Sequence, residues 1–564
     1  MKWVLLPFDP VACEQLRREL DISPLLARLL VNRGLRSPET AHPFLHPTLE
    51  GLHDPMRMAG MREAVERIQT ALARGEKILI YGDYDVDGTT AIVILRKALE
   101  ILGGKADYYI PRRLVEGYGL HAEVLERAAG EGVGLVISVD TGIRAADVVR
   151  KGRELGLDCI ITDHHLPEEQ LPPAVAVLNP KRPDCSYPDK NLSGVGVAFK
   201  LVQALLGCAA RGHLLESFLK VVAIGTIADA VPLVGENRIF AKVGLEGLRR
   251  PANSGLRALL KVAGLDGRAI SALDVGFRLA PRINAAGRMG EADDVVELFS
   301  SRDSDRVRQL AEKMNTLNAE RQQTEDLILK EILARFEAQP ELAKDFLLVV
   351  DGEGWHRGVL GIVATRLVER FHRPTLVASR EGDVAHGSGR SIRPFHLLSA
   401  LESASELFLR FGGHSHAVGF SLPTDRIADL RARLSSYARQ VLSPADLEPQ
   451  LELDAEAHLA EIDAAFVEDL SRLAPHGTGN PPPLFAAREL SLAGEVRVLK
   501  EKHLHLRLRQ GENGIDAIGW NLGHRAGELA RSRPLAAAFE VERHDYFPDR
   551  PLRLVLRDLC VTPF

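Results

Sequence analysis

Residues 77–90 read KILIYGDYDVDGTT: a short apolar strand over 78–81, a carboxylate-dense turn, then an apolar helix starting near Thr89. Asp83, Asp85 and Asp87 place three negative charges within five residues. Their mutual repulsion destabilises a packed fold unless a cation neutralises them. Gly88 lets the backbone turn closely beside them. The same DxDxDG pattern opens an EF-hand calcium loop, which needs a bidentate Glu at its twelfth position. Counted from Asp83 that position is Ile94, inside a hydrophobic run, and a strand precedes the turn where an EF-hand has a helix. The calcium-loop reading fails. A solvated acidic turn is the plain alternative for the motif taken alone.

Outward from this stretch, short apolar strands alternate with helices. Strands are expected over 77–81, 106–110, 134–139, 157–161 and 174–178, and helices over 89–102, 121–129, 143–154 and 195–207. That alternation predicts an α/β fold with a mostly parallel, doubly wound sheet. Ligands of such sheets bind beyond the carboxyl ends of the strands. Polar residues fall at those ends: Asp140-Thr141-Gly142 after one strand and Thr162-Asp163-His164-His165 after another. An apolar helix over 214–227 then delivers Asp229. Singly, these read as a helix cap or a surface histidine pair. Together on one sheet edge they read as a metal centre. Aspartates with imidazole and no cysteine suit Mn²⁺ or Mg²⁺, and five aspartates plus histidine suffice for two ions bridged by a shared carboxylate.

At 564 residues the chain suggests roughly three to four domains. Its 45% apolar and 26% charged residues are ordinary for a globular protein. No apolar stretch approaches the roughly 18 residues of a membrane span, and residues 1–13 lack a signal-peptide layout. Five scattered cysteines without a CxxC pair fit a reducing cytoplasm and argue against thiolate metal sites. The net charge of −6 counts mildly against a nucleic-acid binder, but local basic patches decide such binding. No GxxxxGK[ST] motif is present, so the chain is not expected to unwind DNA itself.

Further along, FRLAPRINAAGRM (277–289) combines Arg278, Arg282, Arg288 and Asn284. Guanidinium forks match phosphate oxygens; a solvated helix face is the alternative. Residues 304–338 form one long amphipathic helix, capped by Ser304 and stopped by Pro340, which reads as a domain connector. Residues 346–425 read as a second α/β unit. Within it GSGRS (387–391) is expected as a small-residue turn whose amides, with Arg390, make a phosphate nest. Residues 443–449 read as a linker and 473–483 as a rigid loop. Five short strands over 485–560 suggest a small barrel of the oligonucleotide-binding (OB) type. The strand at 504–509 puts His505, Arg507 and Arg509 on one face, able to track a phosphate backbone or simply solvated. The expected division is an N-terminal helical arm (1–70) without assignable chemistry, a catalytic domain (71–300), a connecting helix (301–340), a second domain (341–440) and an OB-like domain (450–564).

GDYDVDG, VDTG, TDHH and ADAVPL, in this order, resemble the four motifs of the DHH phosphoesterase superfamily. The resemblance implies Asp83, Asp85, Asp87, Asp140, His164 and Asp229 as metal ligands. It implies His165 beside the scissile phosphate as an acid or electrostatic stabiliser, with Asp163 orienting the site and Arg282 neutralising developing charge. WHRGVLGIVA, GSGRS and FGGH resemble the DHH-associated domain that closes over the metal site. This makes Ser388, Gly389 and Arg390, with Arg112, candidates for a terminal-phosphate pocket, and His414 a candidate lining the same cleft. From about residue 51 to 558 the order of domains resembles the single-strand-specific 5′→3′ exonucleases of the superfamily. That implies two-metal hydrolysis of single-stranded DNA to mononucleotides in recombination and repair, with Mn²⁺ or Mg²⁺. It also implies single-strand-binding protein and a helicase as partners. His476 departs from the aromatic residue expected in a PFGxGNxxP-like loop. Two alternatives stay open. A phosphodiesterase for cyclic dinucleotides or short oligonucleotides is typically compact, unlike this chain. A non-catalytic single-strand-binding scaffold typically lacks ligands, and here the acid set is complete.

Overall fold

The computed structural model describes residues 1–112, 115–207, 213–529, 534–543 and 552–560. Five parallel strands form the first sheet, in the order Ala106–Tyr109, Lys77–Gly82, Val133–Val139, Asp158–Thr162, Ala176–Leu178. The period-2 alternation of a strand explains the two layers around it. Ile78 and Ile80 enter a core shared with the helices Val86–Ile101 and Gly194–Leu206, while Leu79 and Tyr81 enter the opposite core with the helices Ala122–Gly130 and Ala146–Glu154. The doubly wound sheet expected from the sequence is present.

The acidic turn is shorter than expected. Asp85 is the N-cap, its side chain accepting from Gly88 N at 3.0 Å, so the helix starts at Val86 and Asp87 lies in its first turn. An aspartate is a strong N-cap, and it stops the strand-to-helix turn three residues before Thr89.

The N-terminal arm needs two corrections. The helix Met61–Arg74 runs past residue 70 and buries Met61, Ala64, Ile68 and Ala71 against the core beneath the first sheet. The segment before it is docked on the opposite end of the chain. Strand Lys2–Leu5 pairs in parallel with Gln450–Leu453, and Leu16, Leu26, Leu29 and Leu30 share one core with Phe485 and Phe539 of the barrel.

The long helix Ser304–Ala338 spans the expected residues, but Asp303 caps it, accepting from the amides of Asp305 and Arg306. Its first half (Val307, Leu310, Met314) belongs to the catalytic core and its second half (Ile328, Ile332, Phe336) to the next domain. That domain holds a mixed five-stranded sheet in the order Arg410–Gly413, Ala417–Pro423, Val384–Arg390, Thr375–Glu381, Leu348–Glu353. GSGRS is therefore no turn. Gly387, Ser388, Gly389 and Arg390 lie in a central strand paired on both sides, so their amides form no nest. The glycines serve packing: a Cβ on Gly387 would lie 2.1 Å from Phe420 Cζ, and one on Gly389 2.8 Å from Val418 Cγ2. Residues 443–449 are packed, not a free linker: Leu447 is buried and its carbonyl accepts from Arg373 Nη1 at 2.8 Å.

In the C-terminal domain the stretch 489–499, expected as one strand, divides between Phe485–Leu492 and Arg497–Leu499. The sheet order is Ala455–Glu456, Phe485–Leu492, Leu535–Arg543, Leu552–Cys560, Asn513–Gly519, His503–Gln510, Arg497–Leu499. Ser491 and Leu492 pair back with Arg509 and Leu508, closing five strands into a barrel. Closure leaves those strands no free edge.

Candidate active site

The carboxyl ends of three neighbouring strands and the end of the helix His213–Ala228 converge. His164 Nε2 lies 3.3 Å from Asp140 Oδ1, 3.6 Å from Asp229 Oδ2 and 3.9 Å from Asp87 Oδ2. Three ligand groups have their donor atoms within 4.8 Å of one another: Asp83–Asp85–Asp140, Asp87–His164–Asp229 and Asp140–His164–His165. Asp140 belongs to two of them. The buried atoms Asp140 Oδ1, Asp229 Oδ2 and His164 Nε2 have no hydrogen-bond partner. Each such atom carries an unpaid desolvation cost, and a divalent cation is the group that satisfies all three. The residues fit two hard-to-borderline ions.

The electrostatics agree. Burial, reinforced by Asp85, pushes Asp87 up to about 7. Burial and the neighbouring aspartates raise Asp140 and Asp229 well above the ordinary carboxylate range. Burial and the neighbouring His165 hold His164 down at about 3, so its imidazole stays neutral, the form that ligates a metal. Asp87 is fixed by the start of the helix Gly194–Leu206, its oxygens accepting from Gly194 N (2.6 Å) and Val195 N (2.8 Å). Asp140 is aimed by a left-handed backbone (φ 59°) that aspartate tolerates.

Asp163 faces a different task. Its Oδ2 accepts from Ile143 N at 2.9 Å, and its Oδ1 accepts from His164 N (2.7 Å) and His165 N (3.1 Å) and meets His165 Nδ1 at 2.7 Å. Burial alone would raise Asp163, but the His165 hydrogen bond and charge bring it below its usual range. Burial likewise opposes protonation of His165, and the bond to Asp163 outweighs it, so His165 is raised. With Nδ1 committed to Asp163, Nε2 is the nitrogen left for chemistry.

These shifts give a pH prediction for the metal-free protein. Asp87, Asp140 and Asp229 keep protons that the unfolded chain has released, so their contribution is complete below about pH 4 and is lost as pH rises through the folded values. His165, also raised, acts with the same sign. His164 acts oppositely, but only below about pH 6.5, where an unfolded imidazole titrates. The melting temperature in chelator is therefore expected to fall between about pH 6.5 and 8. Mn²⁺, which binds the deprotonated set, is expected to abolish that fall. Thermal melts across the window check this; a rise in chelator would refute the raised aspartates.

The other candidates are distributed unevenly. Arg278 is spent on structure: its guanidinium donates to Ala263 O (2.8 Å), Gly264 O (3.1 Å) and Asp274 (3.2 Å), so it is withdrawn as a phosphate contact. Arg282 is braced by Asn315 Oδ1 at 3.0 Å and by the Arg278 carbonyl. Asn284 is half-buried on the helix Ala280–Arg288. Arg288 donates to Gly358 O at 2.7 Å, tying the catalytic domain to the second one. Arg112 is exposed beyond the strand Ala106–Tyr109. On the barrel, Arg507 is held by Asp516 (3.0 Å) and Gly514 O (2.8 Å), while Arg509 is exposed on the same face.

Ser388 and Arg390 come together at a helix start, not in the nest expected. Arg390 Nη1 lies 3.3 Å from Ser388 Oγ, and both side chains crowd Gly361, where a Cβ would meet Arg390 Nη2 at 2.9 Å and Ser388 Oγ at 3.1 Å. They stand at the start of the helix Leu360–Phe371, whose dipole favours negative charge there. Gly389 packs closely, and its carbonyl accepts from Arg390 Nη1 at 2.8 Å. Burial lowers His414, and the charges of His165, Arg144, Arg390 and Lys181 lower it further. His414 is thus within reach of charges on the domain that carries the acidic cluster.

Four residues around this site escaped the sequence reading. Lys181 feels Asp229 and Asp163. Asn179 donates to His165 O at 2.8 Å. Both follow the strand Ala176–Leu178, so their place at the same sheet edge was the available signal. Tyr118 donates to Asp140 O at 3.2 Å and meets His165 Nδ1 at 3.2 Å. Arg144 lies near His414. Neither carries a sequence signal.

Comparison with known proteins first gives the class. Residues 77–226 match the DHH family N-terminal domain, 344–440 the DHHA1 domain and 453–558 the RecJ OB domain. The chain is 38% identical to the single-stranded-DNA-specific exonuclease RecJ of Bacillus subtilis over 565 residues, covering all of this chain and 71% of that protein. It is 34% identical to RecJ of Escherichia coli, covering 96% and 98% of the two chains. Among solved structures, RecJ of Thermus thermophilus in complex with Mn²⁺ superposes with a TM-score of 0.85 at 31% identity, covering the whole chain and 80% of that one. The Mg²⁺ complex of the same protein gives 0.80 at 30%, covering the whole chain and 79% of that one. The chain belongs to the RecJ family. Among the described residues no helix is long and apolar enough to cross a membrane.

Proposed function

We propose that the protein is a metal-dependent exonuclease that degrades single-stranded DNA from the 5′ end to mononucleotides, in recombination and repair. The observation that carries this is the membership of Asp140 in two groups of ligand side chains, Asp83–Asp85–Asp140 and Asp140–His164–His165, with His414 within reach of the charges of His165, Arg390 and Lys181. Asp83, Asp85, Asp87, Asp140, His164 and Asp229 would hold two divalent ions, with Asp140 central because it belongs to two of the ligand groups. When bound, the pair of ions supplies an activated water and neutralises charge on the scissile phosphate.

This chain's own residues do the rest. Asp163 favours the protonated form of His165, which presents Nε2 to the phosphate as acid or electrostatic stabiliser. Lys181 and the braced Arg282 offset charge that develops there. Ser388, Arg390 and the start of the helix Leu360–Phe371 receive the terminal phosphate, with Arg112 beside the strand's path. Asn284 and Arg288 flank that path, and Arg509 extends it on the barrel with Arg507 behind it. The protein acts in the cytoplasm, with single-strand-binding protein and a helicase presenting the unwound strand.

A single-stranded oligonucleotide labelled at its 3′ end, incubated with Mn²⁺ beside matched duplex and a cyclic dinucleotide, tests this. The expected result is a descending ladder from the single strand alone, with the label kept on the shortening fragments. Cleavage of the dinucleotide alone would replace the reading with a small-substrate phosphodiesterase. Binding without cleavage in several metals would leave a scaffold. Arg390→Ala is expected to cut the preference for a 5′-phosphorylated over a 5′-hydroxyl end by about tenfold, the value of one charge-assisted contact. Competition between the two ends measures it, and an unchanged preference removes Arg390 from the pocket.

A further inference from the structure

Arg238 is among the largest fully buried side chains of the described residues, 1% exposed, on the helix Gly235–Gly247 of the catalytic domain. Among the described residues no carboxylate pairs with it. Its guanidinium instead donates to four backbone carbonyls: Phe44 O (2.7 Å), Pro475 O (3.3 Å), Arg472 O (3.3 Å) and Ala474 O (3.0 Å). It also lies 3.7 Å from the centroid of the Phe44 ring. Phe44 belongs to the N-terminal helices, and Arg472, Ala474 and Pro475 lead into the loop 473–483 of the C-terminal domain. A hydrophobic side chain of similar volume would bury this contact at lower desolvation cost. What the planar fork adds is register, since several acceptors must sit in fixed places around it.

The same loop touches the chain that carries a metal ligand. Leu233 N donates to Thr478 O at 2.7 Å. A Cβ on Gly477 would lie 2.7 Å from Leu233 Cδ1, and one on Gly479 (φ 74°) 3.1 Å from Pro232 Cβ. Asn480, fully buried, closes the loop on itself through Leu473 O (2.8 Å) and Pro475 O (2.9 Å). From the other side Asn237 Nδ2 holds Pro232 O at 3.1 Å and Asn191 O at 2.6 Å. Between this grip and Asp229 lie only a left-handed Ala230 (φ 58°), Val231 and Pro232. So short and restricted a segment passes a shift of Leu233 on to Asp229.

We propose that Arg238 and the loop 473–483 form a clamp through which the docked C-terminal domain positions Asp229, so that metal affinity depends on that docking. Arg238 is thus a positioning residue, and the inference rests on the reading of Asp229 as a ligand. Groups that orient metal ligands typically set affinity by about ten- to a hundredfold.

The test is a Mn²⁺ binding isotherm on the full chain, read from free Mn²⁺ by electron paramagnetic resonance well below the melting temperature. Arg238→Met removes the fork, and Gly477→Val acts from the opposite domain, pressing on Leu233 without changing a residue of the catalytic one. Each is expected to weaken the Asp229-dependent Mn²⁺ binding by about tenfold, with cleavage recovered at raised Mn²⁺, whereas Arg238→Lys loses less than Arg238→Met. Phe539→Leu, in the barrel core, is expected to lower the melting temperature without moving the isotherm. If Asp229→Ala weakens Mn²⁺ binding but Arg238→Met and Gly477→Val only lower the melting temperature, the clamp is refuted. Should Arg238→Met fail to fold, Gly477→Val alone decides. An isotherm that Asp229→Ala leaves unchanged refutes the ligand reading itself, and the clamp with it.

Discussion

Asp140→Asn is expected to slow cleavage at least about a thousandfold, or ~4 kcal/mol of transition-state stabilisation, while raising the melting temperature of the metal-free protein. The two effects share one cause. Asp140 is buried, belongs to two candidate ligand groups and is repelled by Asp87, Asp85 and Asp229. Without ions that repulsion costs stability; with them the same charge is what holds both. Asparagine keeps the size of the side chain and tolerates the left-handed backbone at φ 59°, so the change is confined to charge. Single-strand affinity is carried by Arg390, Ser388 and the barrel in the proposed function, and is expected to hold within about threefold, less than ~0.7 kcal/mol. Initial rates, melts with and without Mn²⁺ and a binding titration on one preparation separate the terms. Cleavage within about tenfold of the parent protein, a change of ~1.4 kcal/mol, would remove Asp140 from that central role. A lower metal-free melting temperature would contradict the repulsion.

What the sequence made legible follows a physical rule. Asp83, Asp85, Asp87, Asp140, His164 and Asp229 announce themselves because charge at the ends of apolar strands and helices has few structural uses, and several such groups on one sheet edge have fewer. The barrel strands were legible by alternation, as with Leu504, Leu506 and Leu508 facing in. Residues whose meaning depends on distant partners were misread. GSGRS looks like a turn until Phe420 is seen filling the space above Gly387. Arg278 looks like a phosphate ligand until the carbonyls of Ala263 and Gly264 claim it. The first residues look like a separate helical arm because their partner strand Gln450–Leu453 lies near the other end of the chain. Asp303 and Ser304 are both competent caps, and spacing alone does not choose between them.

Gly194→Ala shows how far local rules and tertiary geometry diverge. Gly194 opens the helix Gly194–Leu206, and by helix propensity alone an alanine there gains up to about 1 kcal/mol. In the fold the added Cβ would lie 2.4 Å from Asp140 Oδ1 and 2.6 Å from Asp140 Cβ and Cγ. Asp140 has no easy retreat, since its backbone is fixed by a bond to Thr162 O at 2.9 Å. The helix start has none either, because Gly194 N and Val195 N hold both oxygens of Asp87, and Val195 already packs against Gly225. Whichever side gives way, the central ligand or its neighbour leaves its place. The expected result is a loss of Mn²⁺ affinity of about a hundredfold, with cleavage at ordinary Mn²⁺ falling toward that of Asp140→Asn although no ligand has been changed. Raised Mn²⁺ is expected to restore part of the rate to Gly194→Ala and none to Asp140→Asn. A Gly194→Ala protein that melts higher and cleaves normally at unchanged Mn²⁺ would mean that propensity governs this position and that the close approach of helix and carboxylate does not matter to the metal site.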